Sequence, residues 1–467
     1  MGKLQIKPKQ LLAFGFPQNA AISMTLTLVE KEFKHATLEE IEPILRGLAA
    51  TPEKYWDDET WSKIAERIKP RQKQSTHVAL RDKGLPFEVF GADGIENEAW
   101  VQMKVAMKLP VAVAGALMPD AHAGYGLPIG GVLATENAVI PYGVGVDIGC
   151  RMCLSVFPIA AVDFEKHAES FKKVLLENTI FGAGGEWSKS ANHEITDRPL
   201  FNELPILKNL ARKADRQLGT SGSGNHFVEF GLVNFPKDDR ELGIKTGDYV
   251  ALLSHSGSRG LGATIAKFYT DIAMKKRQLP TEARHLAWLM LDEADGAEYW
   301  AAMNLAGDYA SACHDEIHRK IMRALGTQAR VRVENHHNFA WKERLADGRE
   351  VITHRKGATP ANVGELGIIP GSMTAAGYIV RGLGNADALN SAAHGAGRAM
   401  SRRKAKENIT NSSWQKMLRE SGVTLFGGGI DEAPLAYKNI ESVMSAQTDL
   451  VEIIGRFLPK IVRMAGD

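Results

Sequence analysis

The stretch Pro141-Tyr-Gly-Val-Gly-Val-Asp-Ile-Gly-Cys-Arg-Met-Cys153 decides how the rest of this sequence is interpreted. Apolar residues 138–140 precede it and predict a strand that leads into a glycine-rich turn. The turn carries Asp147 and Cys150, and a carboxylate and a thiolate at this spacing can reach one metal ion. The pattern is equally typical of a tight turn with a buried, inert cysteine. The histidines elsewhere in the chain must therefore decide between the two interpretations.

The composition is that of a globular protein with a large core. The chain has 467 residues, of which 44% are hydrophobic and 24% are charged, and its formal net charge is +2. This charge confines any nucleic-acid contact to local basic patches. The three cysteines exclude a disulfide framework and favour the reducing cytoplasm. The N-terminus has no apolar signal core, and no apolar run approaches the roughly 20 residues that span a bilayer, so we expect no membrane association.

Residues 1–75 predict a separate N-terminal helical extension. The capping box Thr37-Leu-Glu-Glu40 begins one helix, and residues 57–68 form a second amphipathic candidate. A basic connector that contains a proline, residues 69–73, marks the boundary. Residues 76–467 form the second region.

Helix and strand patterns are mixed in this second region. Helices are predicted at residues 93–109, 163–178, 204–218, 261–277 and 281–325, and over most of the chain from residue 414 onward. Strands are predicted at residues 249–253, 330–334, 350–353 and 368–369, with short strands between residues 117 and 153. Because helices and strands do not alternate strictly, we predict an α+β fold with more than one mixed β-sheet and flanking helices.

Six further turns combine histidine with small residues. They are Asp120-Ala-His122, Ser223-Gly-Asn-His226, Ser254-His-Ser-Gly-Ser-Arg259, Asn335-His-His-Asn338, His354-Arg-Lys356 and His394-Gly-Ala-Gly-Arg398. Such turns commonly carry functional side chains. Imidazole, thiolate and carboxylate ligands together suit Mn, Fe, Co or Zn, and one thiolate can bridge two ions. Three cations close to these histidines are suited to phosphate oxygens: Arg259, Lys356 and Arg398.

Other motifs favour structural roles. Cys150-Arg-Met-Cys153 is a single C-x-x-C, without the second pair of a zinc site or the sequence context of a redox motif. His314 and His318 lie one helical turn apart in a charged region, which favours a solvated face over a metal site. No G-x-x-x-x-G-K-[ST] motif occurs, which excludes a P-loop nucleotidase. Four histidines without nearby partners are interpreted as surface or satisfied core residues: His35, His167, His193 and His285.

Read together and in order, the turns resemble the motifs of the RtcB family of RNA-splicing ligases. The resemblance runs from about His77 to near the C-terminus. It is carried by Met118-Pro-Asp-Ala-His-Ala-Gly-Tyr-Gly126, Gly145-Val-Asp-Ile-Gly-Cys150, Gly222-Ser-Gly-Asn-His-Phe-Val-Glu229, His255-Ser-Gly-Ser-Arg259, His336-His-Asn338, His354-Arg-Lys-Gly-Ala358, Pro370-Gly-Ser-Met373, His394-Gly-Ala-Gly-Arg398 and Asp431-Glu-Ala-Pro434.

The resemblance implies that residues 76–467 form an RtcB-like catalytic domain with GTP- and Mn²⁺-dependent RNA ligase activity. The implied reaction joins an RNA 3′-phosphate or 2′,3′-cyclic phosphate end to a 5′-hydroxyl end. His394 would be the nucleophile that takes GMP from GTP, and Asp120 would orient a ligand or act as a base. A structural role for Asp120, in which the carboxylate holds a turn through backbone N–H groups, stays open.

The resemblance also implies roles for the surrounding residues. Cys150 would bridge two Mn²⁺ ions, with Asp147 and His226 completing one site and His255 and His337 the other. Six residues would line the guanylate site: Asn225, Glu229, Asn338, Ser372, Gly395 and Gly397. Three residues would hold phosphates of the nucleotide or the RNA: Arg259, Lys356 and Arg398.

Two features depart from the family pattern. The family usually ends in a lysine and a glycine, of which the lysine contacts guanine, whereas this chain has Ala465 at that position and its candidate replacement is Lys460. A strict preference for GTP is therefore not implied. Residues 1–75 match no part of the family pattern, which makes them candidates to shape RNA access or to bind a protein partner.

The residues leave two alternatives open. A two-metal phosphoesterase would use the same ligands without covalent catalysis, but it would have no need for His394 in a Gly-Ala-Gly turn. A non-catalytic RNA-binding protein would depend on basic segments such as Arg402-Arg-Lys404 and residues 69–73, which are more typical of solvated faces. The sequence does not identify the physiological RNA or any activating protein partner.

Overall fold

A computed structural model describes residues 4, 6–69 and 76–466. The chain divides into two compact units, Met1–Thr76 and His77–Asp467, next to the boundary expected from the sequence. Apart from Lys69, the basic connector at residues 69–73 lies outside the described residues. In the part of the chain that the structure describes, no helix is both long enough and apolar enough to cross a membrane.

The N-terminal unit is helical, as the sequence predicts. Its helices are α1 (Pro8–Ala13), α2 (Ala20–Glu32), α3 (Leu38–Ala50) and α4 (Ser62–Ile68). The predicted capping box begins α3: the Thr37 hydroxyl accepts the Glu40 backbone N–H, and the Glu40 carboxylate accepts the Thr37 backbone N–H. Helix α4 begins later than predicted because the Asp58 carboxylate holds the backbone N–H groups of Thr60 and Trp61 in a turn.

Helices of the second unit cover the sheets and carry most of the connections. They are α5 (Asn97–Ala106), α6 (Pro141–Val144), α7 (Ala161–Lys166), α8 (Ala168–Asn178), α9 (Leu200–Glu203), α10 (Pro205–Lys208), α11 (Ala211–Gln217), α12 (Arg259–Lys276), α13 (Ala294–Leu325), α14 (Arg402–Asn408), α15 (Asn411–Ser421) and α16 (Ile440–Ser445). Two predicted helices are interrupted: residues 163–178 by His167, and residues 204–218 at Asn209 and Leu210.

The described strands of the second unit form two large sheets and two small sheets of two strands each. They are β1 (Glu88–Val89), β2 (Ala112–Tyr125), β3 (Leu127–Thr135), β4 (Ala138–Val139), β5 (Arg151–Ala160), β6 (Phe227–Phe235), β7 (Gly247–Ser256), β8 (Leu289–Met290), β9 (Val331–His336), β10 (Asn338–Arg344), β11 (Glu350–Lys356), β12 (Ala358–Pro360), β13 (Leu366–Ile369), β14 (Gly377–Gly382), β15 (Ser391–Ala393), β16 (Thr424–Phe426) and β17 (Val451–Met464). The predicted α+β fold with more than one mixed sheet is confirmed.

The larger sheet supplies the frame of the candidate site. It has eight strands in the order β13-β14-β17-β6-β7-β5-β9, with β16 paired to β17. The second large sheet has five strands in the order β1-β2-β3-β11-β10. One apolar core joins the two, because it contains Ala116 and Val132 from the five-stranded sheet and Ile369 and Val380 from the eight-stranded sheet.

Three sequence predictions were wrong in type or extent. The chain from residue 414 is helical only to Ser445, and residues 451–464 form the long strand β17 between β14 and β6. Residues 281–325 contain a 3-10 turn and strand β8 before α13 begins at Ala294. Strands β2 and β3 are long rather than short, because β-bulges absorb the irregular residues between Leu117 and Tyr125.

Candidate functional site

Strand order brings four predicted ligands to one end of the eight-stranded sheet. Strand β5 lies between β7 and β9, and Arg151 is opposite both Ser256 and His336. Cys150, His255 and His337 adjoin these three positions in the chain and therefore meet. His226 precedes β6, whose first residue pairs with His255.

Asp147 reaches the same place from the loop after α6. Its carboxylate accepts the backbone N–H of Ser258 at 3.0 Å. This approach requires glycine at position 257, because a Cβ atom there would lie 2.2 Å from both carboxylate oxygens. We call the five residues the Cys150 cluster: Asp147, Cys150, His226, His255 and His337.

The Cys150 cluster contains two groups of ligand atoms that share one sulfur. Cys150 Sγ lies 3.4 Å from His226 Nε2 and 3.2 Å from His255 Nε2. His226 Nε2 is 3.0 Å from an Asp147 carboxylate oxygen, and His255 Nε2 is 3.3 Å from His337 Nε2. Within each group, Asp147–Cys150–His226 and Cys150–His255–His337, all ligand atoms lie within 4.8 Å of one another. The cluster could therefore hold metal ions.

The protonation of the Cys150 cluster suits a cation. His255 Nδ1 lies 3.0 Å from the Asn225 carbonyl, which can only accept, so Nδ1 carries the proton and Nε2 keeps its lone pair. Burial lowers the pKa values of His255 and His337 well below the usual value, so both rings are neutral. Burial and the Asp147 carboxylate raise the pKa of Cys150, so a thiolate here needs a positive charge beside it. This donor set fits Mn²⁺, Fe²⁺, Co²⁺ or Zn²⁺.

His394 and two members of the Cys150 cluster, His255 and His337, line one cavity of about 300 Å³, which we call the central cavity. The His394 and His337 ring centroids are 4.9 Å apart. His394 Nδ1 is 2.6 Å from an oxygen of the fully buried Asp120, and the same oxygen accepts the His394 backbone N–H. Asp120 thus fixes the ring orientation and leaves Nε2 as the free nitrogen.

Sequence comparison agrees with this geometry. The sequence model of a family described as tRNA-splicing ligase RtcB matches residues 102–465. The chain belongs to the RtcB family. Membership of this family supports an RNA ligase function and confirms the resemblance that the motifs indicated.

Relatives of known name cover most of the chain. RNA-splicing ligase RtcB of Escherichia coli (strain K12) is 34% identical over 412 residues, which cover 82% of this chain and 95% of the relative. tRNA-splicing ligase RtcB of Nanoarchaeum equitans is 31% identical over 462 residues, covering 81% of this chain and 95% of the relative. RNA-splicing ligase RtcB of Mycobacterium bovis is 31% identical over 411 residues, covering 73% and 94%.

Several further residues predicted from the RtcB resemblance line the central cavity. They are Asn225, Glu229, Ser372, Gly395, Gly397 and Arg398. Burial raises the pKa of Glu229 well above its usual value, so this carboxyl is protonated and can donate a hydrogen bond. Arg398 is held by the backbone carbonyls of Met400 and Asp431.

Of the residues predicted to bind the nucleotide or phosphates, three lie outside the lining of the central cavity: Asn338, Arg259 and Lys356. The lining also lacks four other predicted residues: Asp120, Asp147, Cys150 and His226. The Asn338 side chain connects the Cys150 cluster to β11, because it donates to the Asp147 carbonyl and accepts the Gly357 N–H. Arg259 donates to the Thr220 hydroxyl and the Gly182 carbonyl. Lys356 is buried and donates to the Tyr125 carbonyl, and burial lowers its pKa to about 7.

Sequence reasoning gave no role to four polar side chains that line the central cavity: His122, Arg402, Glu432 and Tyr437. The buried Glu432 carboxylate contacts Arg398, Arg402 and the Tyr437 hydroxyl. Glu432 lies within Asp431-Glu-Ala-Pro434, one of the motifs that carry the RtcB resemblance, and this motif was the sequence signal for it. Arg402 was interpreted as part of a solvated basic face, and it is instead paired with Glu432 and half-exposed.

His314 and His318 were also misinterpreted, because both are fully buried against β5 and β7 rather than solvated. Together with Cys153 they form a third group of candidate ligand atoms. Four hydrogen bonds nevertheless connect their ring nitrogens: Ser155 Oγ to His318 Nδ1 (2.7 Å), His318 Nε2 to Ser254 Oγ (2.8 Å), Ser254 Oγ to His314 Nδ1 (2.6 Å), and His314 Nε2 to the Ser256 carbonyl (3.2 Å).

One arrangement of protons satisfies all four bonds of this serine–histidine chain. The Ser256 carbonyl can only accept, so His314 carries its proton on Nε2 and accepts the Ser254 hydroxyl proton at Nδ1. Ser254 then accepts from His318 Nε2, and Ser155 donates to His318 Nδ1. Burial lowers the pKa of His314 to about 4 and that of His318 well below the usual value, so both rings are neutral. The serine–histidine chain is therefore complete without a metal ion.

Proposed function

We propose that the protein is a GTP- and Mn²⁺-dependent RNA ligase. It joins an RNA 3′-phosphate or 2′,3′-cyclic phosphate end to a 5′-hydroxyl end through a covalent His394–GMP intermediate. The observation that carries the proposal is the position of the His394 imidazole, which lines one cavity with His255 and His337 of the Cys150 cluster and lies 4.9 Å from the His337 ring. A cluster of metal ligands alone would serve hydrolysis equally well, whereas an oriented nucleophilic nitrogen beside it favours nucleotidyl transfer.

The Cys150 cluster has the ligands for two Mn²⁺ ions. Cys150 belongs to both ligand groups, which supports a bridging thiolate, with Asp147 and His226 on one side and His255 and His337 on the other. Bound there, two divalent ions would neutralise charge on the α-phosphate and the leaving pyrophosphate. All three cysteines are free and buried, which agrees with a reducing compartment such as the cytoplasm.

His394 and Asp120 carry out the covalent step. An ionised Asp120 can only accept, so it holds the proton on His394 Nδ1 and leaves the Nε2 lone pair ready to attack. The Nε2–phosphorus bond forms while the bond to the β-phosphate oxygen breaks and pyrophosphate leaves. Asp120 stabilises the positive ring that results. The RNA 3′-phosphate then takes GMP from His394, and attack by the 5′-hydroxyl on that end releases GMP.

The central cavity binds the guanylate. Glu229, protonated by burial, donates to the base, while Asn225 and Ser372 supply further polar groups. Gly395 and Gly397 let the nucleotide backbone approach His394, and Asn338 positions the Asp147 loop. Three cations hold phosphates of the nucleotide or the RNA: Arg259, Lys356 and Arg398.

The residues at the end of β17 bear on the selection of guanine over adenine. The end of β17 has Met464 in the cavity lining, and Ala465 beside it has no cationic group for a base. Arg402 and Glu432 line the same cavity and offer a donor and an acceptor in its place. We therefore expect GTP to be preferred over ATP by a smaller ratio than a dedicated lysine would give.

Incubation with α-labelled GTP and Mn²⁺ tests the proposal. The protein is expected to acquire an acid-labile label that chelation prevents and that His394→Ala abolishes, and parallel samples with ATP measure the base preference. A two-metal phosphoesterase would release phosphate and leave no label on the protein. An RNA-binding protein without catalysis would bind RNA after chelation and after His394→Ala, with no joined product.

The proposed substrate is cleaved RNA, and the proposed partner is an activating protein. The named relatives are RNA-splicing and tRNA-splicing ligases, which makes cleaved RNA with a 3′-phosphate or cyclic phosphate the substrate to test first. Joining is to be measured with and without an activating protein. Residues 1–75 form a separate helical extension, and residues 76–467 form the catalytic domain.

A further inference from the structure

Three aromatic side chains meet at the tip of the β2–β3 hairpin, one of them exposed and two half-buried. Tyr125 is 69% exposed at the tip of the β2–β3 hairpin. Its ring meets Tyr142 edge to face at 6.5 Å between centroids, and Tyr142 stacks on His285 at 4.9 Å. We call Tyr125, Tyr142 and His285 the aromatic patch. His285, which the sequence left without a partner, is thus part of a group.

Rigid backbone holds the aromatic patch in place. Tyr125 is followed by Gly126, which has a φ of +71° and packs so closely that a Cβ atom would lie 3.1 Å from His285 Cβ. Tyr142 is in helix α6, directly after Pro141 at the first helical position. The rings are therefore presented with little freedom to lose on binding, and a flat partner can stack on them at low entropic cost.

A buried cation lies directly beneath the aromatic patch. Lys356 Nζ donates to the Tyr125 carbonyl at 2.6 Å and lies 5.0 Å from the centre of the Tyr142 ring. An ammonium group has three N–H donors, and among the described residues Tyr125 is the one hydrogen-bond acceptor found for it. Two N–H donors of a protonated Lys356 thus have no acceptor among the described residues.

The aromatic patch is close to the candidate nucleophile. Gly357 follows Lys356, and a Cβ atom at Gly357 would lie 3.1 Å from His394 Cε1. Helix α6, which carries Tyr142, leads through Gly145 and Val146 into Asp147 of the Cys150 cluster. A phosphate on Lys356 would therefore lie next to the rings, one residue along the chain from the segment that adjoins His394.

We propose that the aromatic patch is a stacking site for the base of the 3′-terminal nucleotide of the RNA, whose 3′-phosphate binds Lys356. The inference rests on the proposed ligase function and adds a nucleobase site to it. Aromatic faces bind any base, because every base has a π-face, and the neighbouring ammonium selects a partner that carries a phosphate. The site thus recognises an RNA end without reading its sequence.

Fluorescence anisotropy with a 3′-phosphorylated RNA tests the stacking site directly. We expect Tyr125→Ala to weaken binding about tenfold, within the range that one stacked base contributes, and Tyr125→Trp to restore it. An RNA with an abasic 3′-terminal nucleotide is expected to bind the unchanged protein about tenfold more weakly than the intact RNA does. The Tyr125→Ala variant should bind the abasic and the intact RNA with equal affinity. Phe268→Ala, at an exposed ring of helix α12, is the matched control and should bind as the unchanged protein does.

Two results would overturn the inference. One is that the abasic 3′ end weakens binding to Tyr125→Ala by the same factor as it weakens binding to the unchanged protein. The ring and the base would then act independently. The other is coupling to an abasic 5′-terminal nucleotide instead. Because the readout is binding, it stays valid if the protein fails to ligate, and labelling of the unchanged protein with GTP reports on the ligase function separately.

Discussion

Cys150 is the residue on which both candidate metal sites depend. Its sulfur lies within 3.4 Å of two imidazole nitrogens, and burial keeps water from replacing a lost ligand. A bridging thiolate holds two like charges close together, and no neutral side chain of the same size can replace it. Loss of the sulfur should therefore affect both ions at once rather than one of them.

We predict that Cys150→Ala binds neither Mn²⁺ ion and shows neither GMP labelling nor RNA joining. Metal content after dialysis, measured by mass spectrometry, and labelling with α-labelled GTP are the two readouts. Cys313→Ala is the matched control, because Cys313 is an equally buried free cysteine of α13 outside the Cys150 cluster. A Cys150→Ala protein that keeps two ions or its label would refute the bridging role.

Lys356 should make binding of an RNA 3′-phosphate depend on pH. Burial lowers its pKa to about 7 in the free protein, so above that pH the amine must gain a proton before it can pair with phosphate. Bound phosphate favours the charged form and raises the pKa, so affinity should fall by up to about tenfold per pH unit above pH 7. Anisotropy titrations from pH 6 to pH 9 measure the slope.

The control for this prediction is Lys356→Met, which fills the same buried space without a charge. It should bind the RNA more weakly below pH 7 and should lack the part of the slope that Lys356 contributes. Titration of the phosphate and of the Cys150 cluster is common to both proteins and cancels in the comparison. An unchanged slope in Lys356→Met would mean that another group controls the pH dependence.

At the scale of elements, alternation along β5 and β7 separates residues that are close in sequence. Cys150 faces the Cys150 cluster, whereas Cys153 lies on the other face of β5 with His314 and His318. His255 and Ser254 divide in the same way on β7. Cys150 and Cys153 therefore belong to different sites despite their C-x-x-C spacing. Assigning residues 151–160 to a strand would have shown this, because side chains alternate between the two faces of a strand.

The sequence predicts individual residues better than it predicts elements. Motifs identify the Cys150 cluster and His394, because their chemistry is local to short turns. Strand β17 was predicted as helix, since β-bulges near Ile453 and between Pro459 and Ile461 interrupt its alternation of buried and exposed residues. The burial of His314 and His318 depends on serines from β5 and β7, and no pattern within α13 shows those partners.

The serine–histidine chain should contribute to stability through its central hydroxyl. We predict that Ser254→Ala lowers the free energy of unfolding by roughly 2–3 kcal/mol, because it leaves one nitrogen on each of two buried imidazoles without a partner. Ser155→Ala removes a single bond at the end of the chain and should cost about half as much. Urea denaturation of the catalytic unit measures both changes.

A metal ion bound to Cys153, His314 and His318 would change this order. Cys153→Ala would then destabilise the protein more than Ser254→Ala, and chelation would lower the stability of the unchanged protein. If hydrogen bonds alone hold Cys153, His314 and His318 together, chelation should not change the difference in unfolding free energy between Ser254→Ala and Ser155→Ala. Equal costs for the two serine variants would contradict the proton arrangement.

At the scale of the whole molecule, each unit has its own core. The N-terminal unit packs around fully buried Leu11, Leu45 and Leu48, and among the described residues its apolar cluster contains none beyond Ile68. The central cavity is lined by residues from His122 to Met464, all of them in the second unit. Folding of the N-terminal unit and assembly of the candidate site therefore depend on different side chains.

A chain that begins at His77 should consequently fold and become labelled with GMP at the rate of the full chain. The complementary test keeps the full length and uses Leu45→Ala, which removes a fully buried side chain and should cost the N-terminal unit about 2–5 kcal/mol. Circular dichroism should report loss of helix while GMP labelling is retained. If either change abolishes labelling, the first 76 residues are needed for the covalent step itself. If labelling is kept and RNA joining is lost, the N-terminal unit acts on the RNA or on a protein partner, because the later steps are the ones in which RNA takes part.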